Sequence, residues 1–186
     1  LLVRVIAGRY RGRGLRAPAG AATRPTSERV REAVFSMLGP LEGARVLDLF
    51  AGSGALGIEA ISRGAERVTF VERSPAARAV LGANLESLGV AGASVAVRGG
   101  DARAHLRAAA RRGEVYDLVF LDPPYRQAQE LGRALEGPLA GVLAAAGRVV
   151  CESDRRQPIE LGFPLERERR YGDTLIRVHR RPEPPR

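Results

Sequence analysis

Four acidic residues stand at the ends of apolar runs. Asp48 lies within Val46–Phe50, Glu72 follows Arg67–Val71, Asp101 follows Gly99-Gly100, and Asp122 follows Val115–Leu121. Between the first two lies Gly52-Ser-Gly54-Ala-Leu-Gly57, a G-x-G-x-x-G turn that opens into Ile58-Glu-Ala-Ile61. Glycine lets the chain turn sharply there and lets a ligand touch backbone where a side chain would block it. The turn alone is ambiguous. It suits a dinucleotide pyrophosphate at a helix N-terminus, or only a tight strand-to-helix connection. Asp48, four residues before the first glycine, would repel a pyrophosphate and welcome a cation. Glu72 follows Gly52 by 20 residues, the spacing of a carboxylate that grips ribose hydroxyls. Asp101 has two readings, an acceptor for an adenine amino group or the N-cap of the next helix.

Asp122-Pro123-Pro124-Tyr125 offers what an exocyclic base amine needs. The lone pair of such a nitrogen is delocalised into the ring, which makes it a poor nucleophile. Hydrogen bonds from the amine to the Asp122 carboxylate and the Pro123 carbonyl favour a more tetrahedral nitrogen. They also aim its lone pair. Pro123 and Pro124 force a rigid turn, and Tyr125 offers a face on which an extruded base can stack. A cationic, ribose-bearing ligand on the glycine turn beside this tetrapeptide is S-adenosylmethionine, whose product is S-adenosylhomocysteine. Gly52 and Gly54 would then pack against its amino-acid part and ribose, Asp48 would hold its ammonium, Glu72 the ribose diol and Asp101 the adenine edge. Phe50, Ser53, Arg73 and Ala102, beside these groups, complete the candidate cofactor set. The sulfonium is a good leaving group, so in-line positioning supplies much of the acceleration and no metal is required.

The elements that must carry these residues alternate. Apolar strands are expected at Val46–Phe50, Arg67–Glu72, Ala93–Arg98, Val115–Asp122 and Gly147–Glu152. Helices fall at Glu28–Leu38, from Ile58, at Pro75–Leu88, around His105-Leu106, and from Gln127 to Ala145, the last broken in two at Gly137-Pro138. Strand and helix alternate five times, which argues for an α/β fold with a mostly parallel sheet covered on both faces. Ligands of such sheets sit at the carboxyl ends of the strands, where all four carboxylates fall. Leu165–Arg170 and Thr174–His179 read as a closing antiparallel pair joined near Gly172. Val3–Ala7 and Gly8–Leu15 read as a short hairpin, too small for its own core. The expected organisation is a basic hairpin extension over residues 1–22, the main domain over 23–181, and a disordered Pro-rich tail over 182–186.

The 186 residues carry a net charge of +9, and every basic residue apart from the two histidines is an arginine. The charge is uneven. Residues 1–40 hold a net +6, residues 41–154 a net −1 and residues 155–186 a net +4. Basic ends on a neutral body suit a polyanion, because each phosphate contact releases counterions. Arg9, Arg11 and Arg13 around Tyr10 in the hairpin suit phosphate contacts with base stacking. Cys151 is the only cysteine and is expected in the core, so no disulfide framework exists and a reducing cytoplasm is the expected compartment. One cysteine with His105 and His179 assembles no zinc motif. No apolar run approaches the length of a membrane span, and the first residues lack the layout of a secretory signal.

Arg11-Gly-Arg13, Arg24-Pro-Thr26 with Arg29-Val-Arg-Glu32, Asp48–Gly57 and Asp122–Tyr125 occur in this order along nearly the whole chain. Together they resemble the RsmD family, bacterial 16S ribosomal RNA guanine-N2 methyltransferases. The resemblance implies a class I, Rossmann-like S-adenosylmethionine-dependent methyltransferase fold with a small N-terminal hairpin. It implies methyl transfer to the exocyclic amine of one guanine in 16S rRNA, within the small ribosomal subunit or an assembly intermediate of it. Arg24 and Thr26 join Arg9, Tyr10, Arg11 and Arg13 as candidate RNA contacts. Gly14 stands where members often carry lysine, and Tyr125 where some carry phenylalanine. Three other readings share parts of the pattern. An N6-adenine DNA methyltransferase uses the same tetrapeptide, but the chain has no room for a separate DNA-reading domain. A nicotinamide oxidoreductase leaves Asp122–Tyr125 and the basic hairpin unexplained. A non-catalytic RNA-binding or assembly module would keep the fold without turnover.

Overall fold

The computed structural model describes residues 2–18, 27–123 and 128–183, for Leu2 and residues 128–130 the backbone alone. Arg24, Thr26, Pro124 and Tyr125, all singled out in the sequence, lie outside the described residues. Nine strands and five helices follow one another within these limits. They are β1 (Leu2–Arg4), β2 (Gly14–Arg16), α1 (Glu28–Leu38), β3 (Arg45–Asp48), α2 (Ala55–Ser62), β4 (Arg67–Glu72) and α3 (Pro75–Ser87). Then come β5 (Val95–Gly99), α4 (Ala102–Arg111), β6 (Tyr116–Leu121), α5 (Ala128–Ala140), β7 (Leu143–Asp154), β8 (Leu165–Tyr171) and β9 (Thr174–Arg180).

Seven strands form one sheet in the order β5-β4-β3-β6-β7-β9-β8. The first five are parallel, β9 pairs antiparallel with β7, and β8 antiparallel with β9. Only β9 therefore runs against the others. The strand order reverses between β3 and β6, which places the topological switch beside Asp48 and Asp122. Val46, Val68, Phe70 and Phe120 face one apolar layer with α1, α2 and α3. Leu47, Val71, Val119 and Leu121 alternate to the other layer, with α4 and α5. A sheet buried on both faces is what the continuous apolar strands dictate.

Local chemistry sets the helix starts. Ser27 Oγ accepts from Val30 N at 3.3 Å, and Ser74 Oγ accepts from Ala77 N at 3.3 Å with Pro75 opening α3. These caps satisfy donors that a helix leaves without an internal partner. The helix after β6 departs from the sequence expectation. It is one helix that includes Pro138 and stops at Ala140, and residues from Leu143 belong to β7. Pro138 sits in the last turn, so it removes only the hydrogen bond to the Ala134 carbonyl and ends the helix without splitting it. Cys151 is in the core, 1% exposed, and burial pushes its thiol well above the ordinary range. His179 is buried on β9 with Nδ1 3.0 Å from the Phe163 carbonyl oxygen.

The N-terminal hairpin pairs Leu2–Arg4 with Gly14–Arg16. Its apolar residues Val3, Val5 and Leu15 belong to the same core layer as α1–α3, so it is packed on the domain. Arg31 of α1 points inward as well. It is fully buried, donates from Nη2 to the Arg4 carbonyl at 2.6 Å, and desolvation lowers its pKa against the opposing pull of Glu59. One of the amino-terminal arginines thus holds the hairpin to the body.

Candidate active site

The glycine turn links β3 to α2. Gly54 precedes α2 in the left-handed conformation, φ 84°, which a side chain would strain. Gly57 answers to packing: a Cβ there would come within 2.2 Å of Phe70 Cε1, so only glycine lets α2 lie this close to β4. The Asp48 carboxylate caps the same segment from below. It is 2% exposed, and its Oδ2 accepts from Gly57 N at 3.1 Å. Burial pushes its pKa up to about 7, with the charges of Asp122 and Glu72 adding to the rise and the hydrogen bonds from Gly57 and Phe50 opposing it.

Glu72 closes β4 and reaches the turn from the side. Its Oε2 accepts from Gly52 N at 2.9 Å and its Oε1 from Ser74 N at 2.7 Å. Each oxygen keeps acceptor capacity beyond these bonds. Arg73 is exposed beside it, and Arg78 Nη1 donates to the carbonyls of both Glu72 and Arg73 at 2.9 Å. Asp101 realises the N-cap reading: Oδ1 accepts from Ala104 N at 3.0 Å. The cap engages one oxygen of an exposed carboxylate, which leaves the other for a ligand. Ala102 is buried behind it, and Phe50 is half-buried.

Strand register brings these groups together. Asp48 lies opposite Phe70 and Phe120, Glu72 opposite Gly99, and Leu121 opposite Cys151. Asp122, half-buried directly after β6, therefore stands at the switch point beside Asp48, and Pro123 is buried next to it. Carboxylates at the ends of β3, β4 and β6 build a negative potential with two hydrogen-bonded anchors on the glycine turn. A negative potential of this kind suits a cationic amino-acid group and a ribose diol better than a pyrophosphate.

The hairpin residues lie elsewhere. Arg9 N donates to the Ser62 carbonyl at 2.7 Å and Tyr10 N to Ser62 Oγ at 2.9 Å, at the last residue of α2. The eight residues of α2 separate this mooring from the glycine turn by about 12 Å. Tyr10 is half-buried against the core, with the Arg9 guanidinium 5.7 Å over its ring. Arg13 bonds the Ser87 carbonyl, while Arg9 and Arg11 are exposed.

The residues that dock this hairpin carry no motif in the sequence. Glu59, fully buried on α2, accepts from Ile6 N at 2.7 Å, Ala7 N at 3.0 Å and Arg63 Nε at 2.7 Å. Asn84 on α3 holds Arg16. Arg155 and Arg156 are a further pair that the sequence does not single out. They follow β7, at the same end of the sheet as Asp122, and share Asp173 at 3.3 and 3.7 Å. Charge inside a helix of apolar residues is the available signal for Glu59; nothing local marks Asn84.

The strand order, the antiparallel β9 and the site at the switch point define a class I S-adenosylmethionine-dependent methyltransferase fold. The family model described as conserved hypothetical protein 95 matches residues 3–180, and the chain belongs to that family, the RsmD family. Ribosomal RNA small subunit methyltransferase D of Escherichia coli is 37% identical over 189 residues, covering 96% of this chain and 90% of the relative. YlbH of Bacillus subtilis is 39% identical over 183 residues, covering 96% and 99% of the two chains. A solved structure, protein TTHA0928 of Thermus thermophilus, superposes with a TM-score of 0.81 at 31% identity, covering 96% of this chain and 99% of the other.

Proposed function

We propose that this protein transfers a methyl group from S-adenosylmethionine to the exocyclic N2 amine of a guanine in 16S ribosomal RNA, in the small subunit or its assembly intermediate. The observation that carries the reading is the convergence of Asp48, Glu72 and Asp122 around one glycine turn, in a chain similar over 96% of its length to a small-subunit rRNA methyltransferase.

When bound, the cofactor supplies an electrophilic methyl on a positively charged sulfur. The chain supplies its binding and the orientation of the acceptor. Glu72 holds the ribose diol with the oxygen capacity left over from Gly52 and Ser74, and Asp48 balances the ammonium from beneath the turn. The free oxygen of Asp101 accepts from the adenine amino group. At the target, the Asp122 carboxylate and the Pro123 carbonyl accept the two N–H bonds of the guanine amine, which directs its lone pair toward the cofactor side of the pocket. Tyr125 stacks the base. Removing an N–H partner from such an arrangement costs both orientation and nucleophilicity.

The RNA-binding part of the reading rests on charge. Exposed Arg9 and Arg11 lie at the far end of α2, so an RNA that reaches both hairpin and site must follow the α2 face for about 12 Å. That demand favours a folded RNA segment over a single nucleotide. The test is incubation with tritiated S-adenosylmethionine and either naked 16S rRNA or unmethylated small subunits, followed by digestion and identification of the labelled nucleoside. N2-methylguanosine supports the proposal, and the better substrate identifies the assembly stage. Label in N6-methyladenine of a parallel DNA reaction, with none in RNA, would overturn it.

A further inference from the structure

Asn84 lies between the two regions that the proposed function assigns to different ligands. It is 2% exposed, on the face of α3 that packs toward the hairpin and the glycine turn. Its Oδ1 accepts from Arg16 N at 2.8 Å. Its Nδ2 donates to the Arg16 carbonyl at 3.0 Å and, with its other proton, to the Ser53 carbonyl at 2.9 Å. One amide thus grips both backbone groups of the last hairpin residue and the middle residue of Gly52-Ser53-Gly54. Three residues earlier on the same helix, Leu81 packs so tightly on the turn that a Cβ at Gly54 would lie 2.3 Å from Leu81 Cδ1. The helix therefore touches the turn at both positions.

We propose that Asn84 is a positioning residue that couples RNA binding at the hairpin to cofactor binding at the glycine turn, so that each ligand raises the affinity for the other. The inference rests on the reading of the hairpin as the RNA contact and the turn as the cofactor contact. Its physical basis is shared ordering. The hairpin is seated on the core through Val3, Val5 and Leu15, so RNA phosphates on Arg9 and Arg11 damp only the motion that two three-residue strands retain on that seat. Ordering Arg16 fixes the Asn84 amide, and the fixed amide holds the Ser53 carbonyl. The cofactor then meets a turn with less residual motion to lose, which is positive cooperativity without a change of shape. Glu59 and Ser62 also moor the hairpin, but their bonds run to Ile6, Ala7, Arg9 and Tyr10 and none reaches the turn.

The experiment measures the affinity of the full chain for unmethylated small subunits with and without saturating S-adenosylhomocysteine, which cannot react. The reciprocal measurement is calorimetry of S-adenosylhomocysteine with and without the subunits. The wild type is expected to show a tightening of about fivefold or more, equal in both directions as linkage requires. Asn84→Ala, and Asn84→Asp, which keeps the shape and the acceptor for Arg16 N, are expected to bring the factor below about twofold. Independent binding of both ligands by the wild type, or a factor unchanged in the two variants, would overturn the coupling. A wild type that binds neither ligand would instead overturn the functional reading on which it rests.

Discussion

The Glu72 carboxylate accepts the backbone N–H of Gly52 at 2.9 Å. The residue proposed to hold the ribose is therefore also the strut that holds the glycine turn against the end of β4. On that proposal one side chain both shapes the turn and reads the ligand, and losing it would remove both effects together.

Glu72→Ala is expected to weaken S-adenosylmethionine binding by more than tenfold, because hydrogen bonds to an ionised carboxylate contribute about 1.5–3 kcal/mol each. Glu72→Gln should fall between wild type and Glu72→Ala, since one amide oxygen can still accept but the NH2 group meets another donor at Gly52 or Ser74. Calorimetry of the three proteins checks the order.

Asp48 predicts a pH dependence. Its folded carboxyl titrates at about 7 and its unfolded one near 3.8. In the ligand-free protein its contribution to stability is present in full below the unfolded value and fades as pH rises through 7. A cation bound beside it favours the ionised form, so binding of S-adenosylmethionine expels the proton and strengthens as pH rises from about 6 to 8. Calorimetry in two buffers of different ionisation heat should detect that released proton. Asp48→Asn should abolish both the release and the pH slope. An equal slope in the variant would assign it to another group.

Most of this architecture is legible in the sequence because its causes are local. The apolar runs end in acids at five-fold alternation, Gly57 and Glu72 stand at fixed distances from Gly52, and Ser27 and Pro75 mark helix starts. What the sequence hides depends on neighbours distant along the chain. Asn84 meets Arg16 across 68 residues and Glu59 meets Ile6 across 53. Buried Arg31 reads in the sequence as one more basic charge, because only the packing of α1 on the hairpin turns it inward. Pro138 reads as a break because the sequence does not say that the helix is about to end there anyway.

The hairpin mooring gives a separate prediction. A Cβ on Gly8, which has φ 80°, would come within 1.8 Å of the Ser62 carbonyl oxygen. Gly8→Ala must displace the 5–13 connection and with it Arg9 and Arg11. Small-subunit affinity should fall by about tenfold or more, with a shallower dependence on salt concentration. Unaltered affinity and slope would move the RNA contact away from the hairpin.

Gly57 faces a different constraint. Its φ is ordinary, and only the Phe70 ring, 2.2 Å from where a methyl would sit, forbids a side chain. Gly57→Ala should cost about 1–3 kcal/mol through overpacking, seen as a lower melting temperature. The same shift of α2 should loosen the bond from Gly57 N to Asp48, so cofactor affinity should fall in step.

Asp122 separates chemistry from binding. It stands beyond the paired ends of β3 and β6, and its charge is felt at Asp48. Asp122→Ala removes the acceptor proposed for the guanine amine while leaving Glu72 on Gly52 and Asp48 on Gly57. The expected outcome is a fall in kcat of about 10²–10⁴ with a small change in KM for the cofactor. Asp122→Asn keeps an oxygen acceptor but lacks the charge, so its rate should lie between wild type and Asp122→Ala. If both variants turn over normally, the tetrapeptide is only a turn that ends β6. If both lose cofactor binding as well, Asp122 serves the pocket rather than the transfer. A loss confined to kcat places the residue at the reacting amine, as proposed.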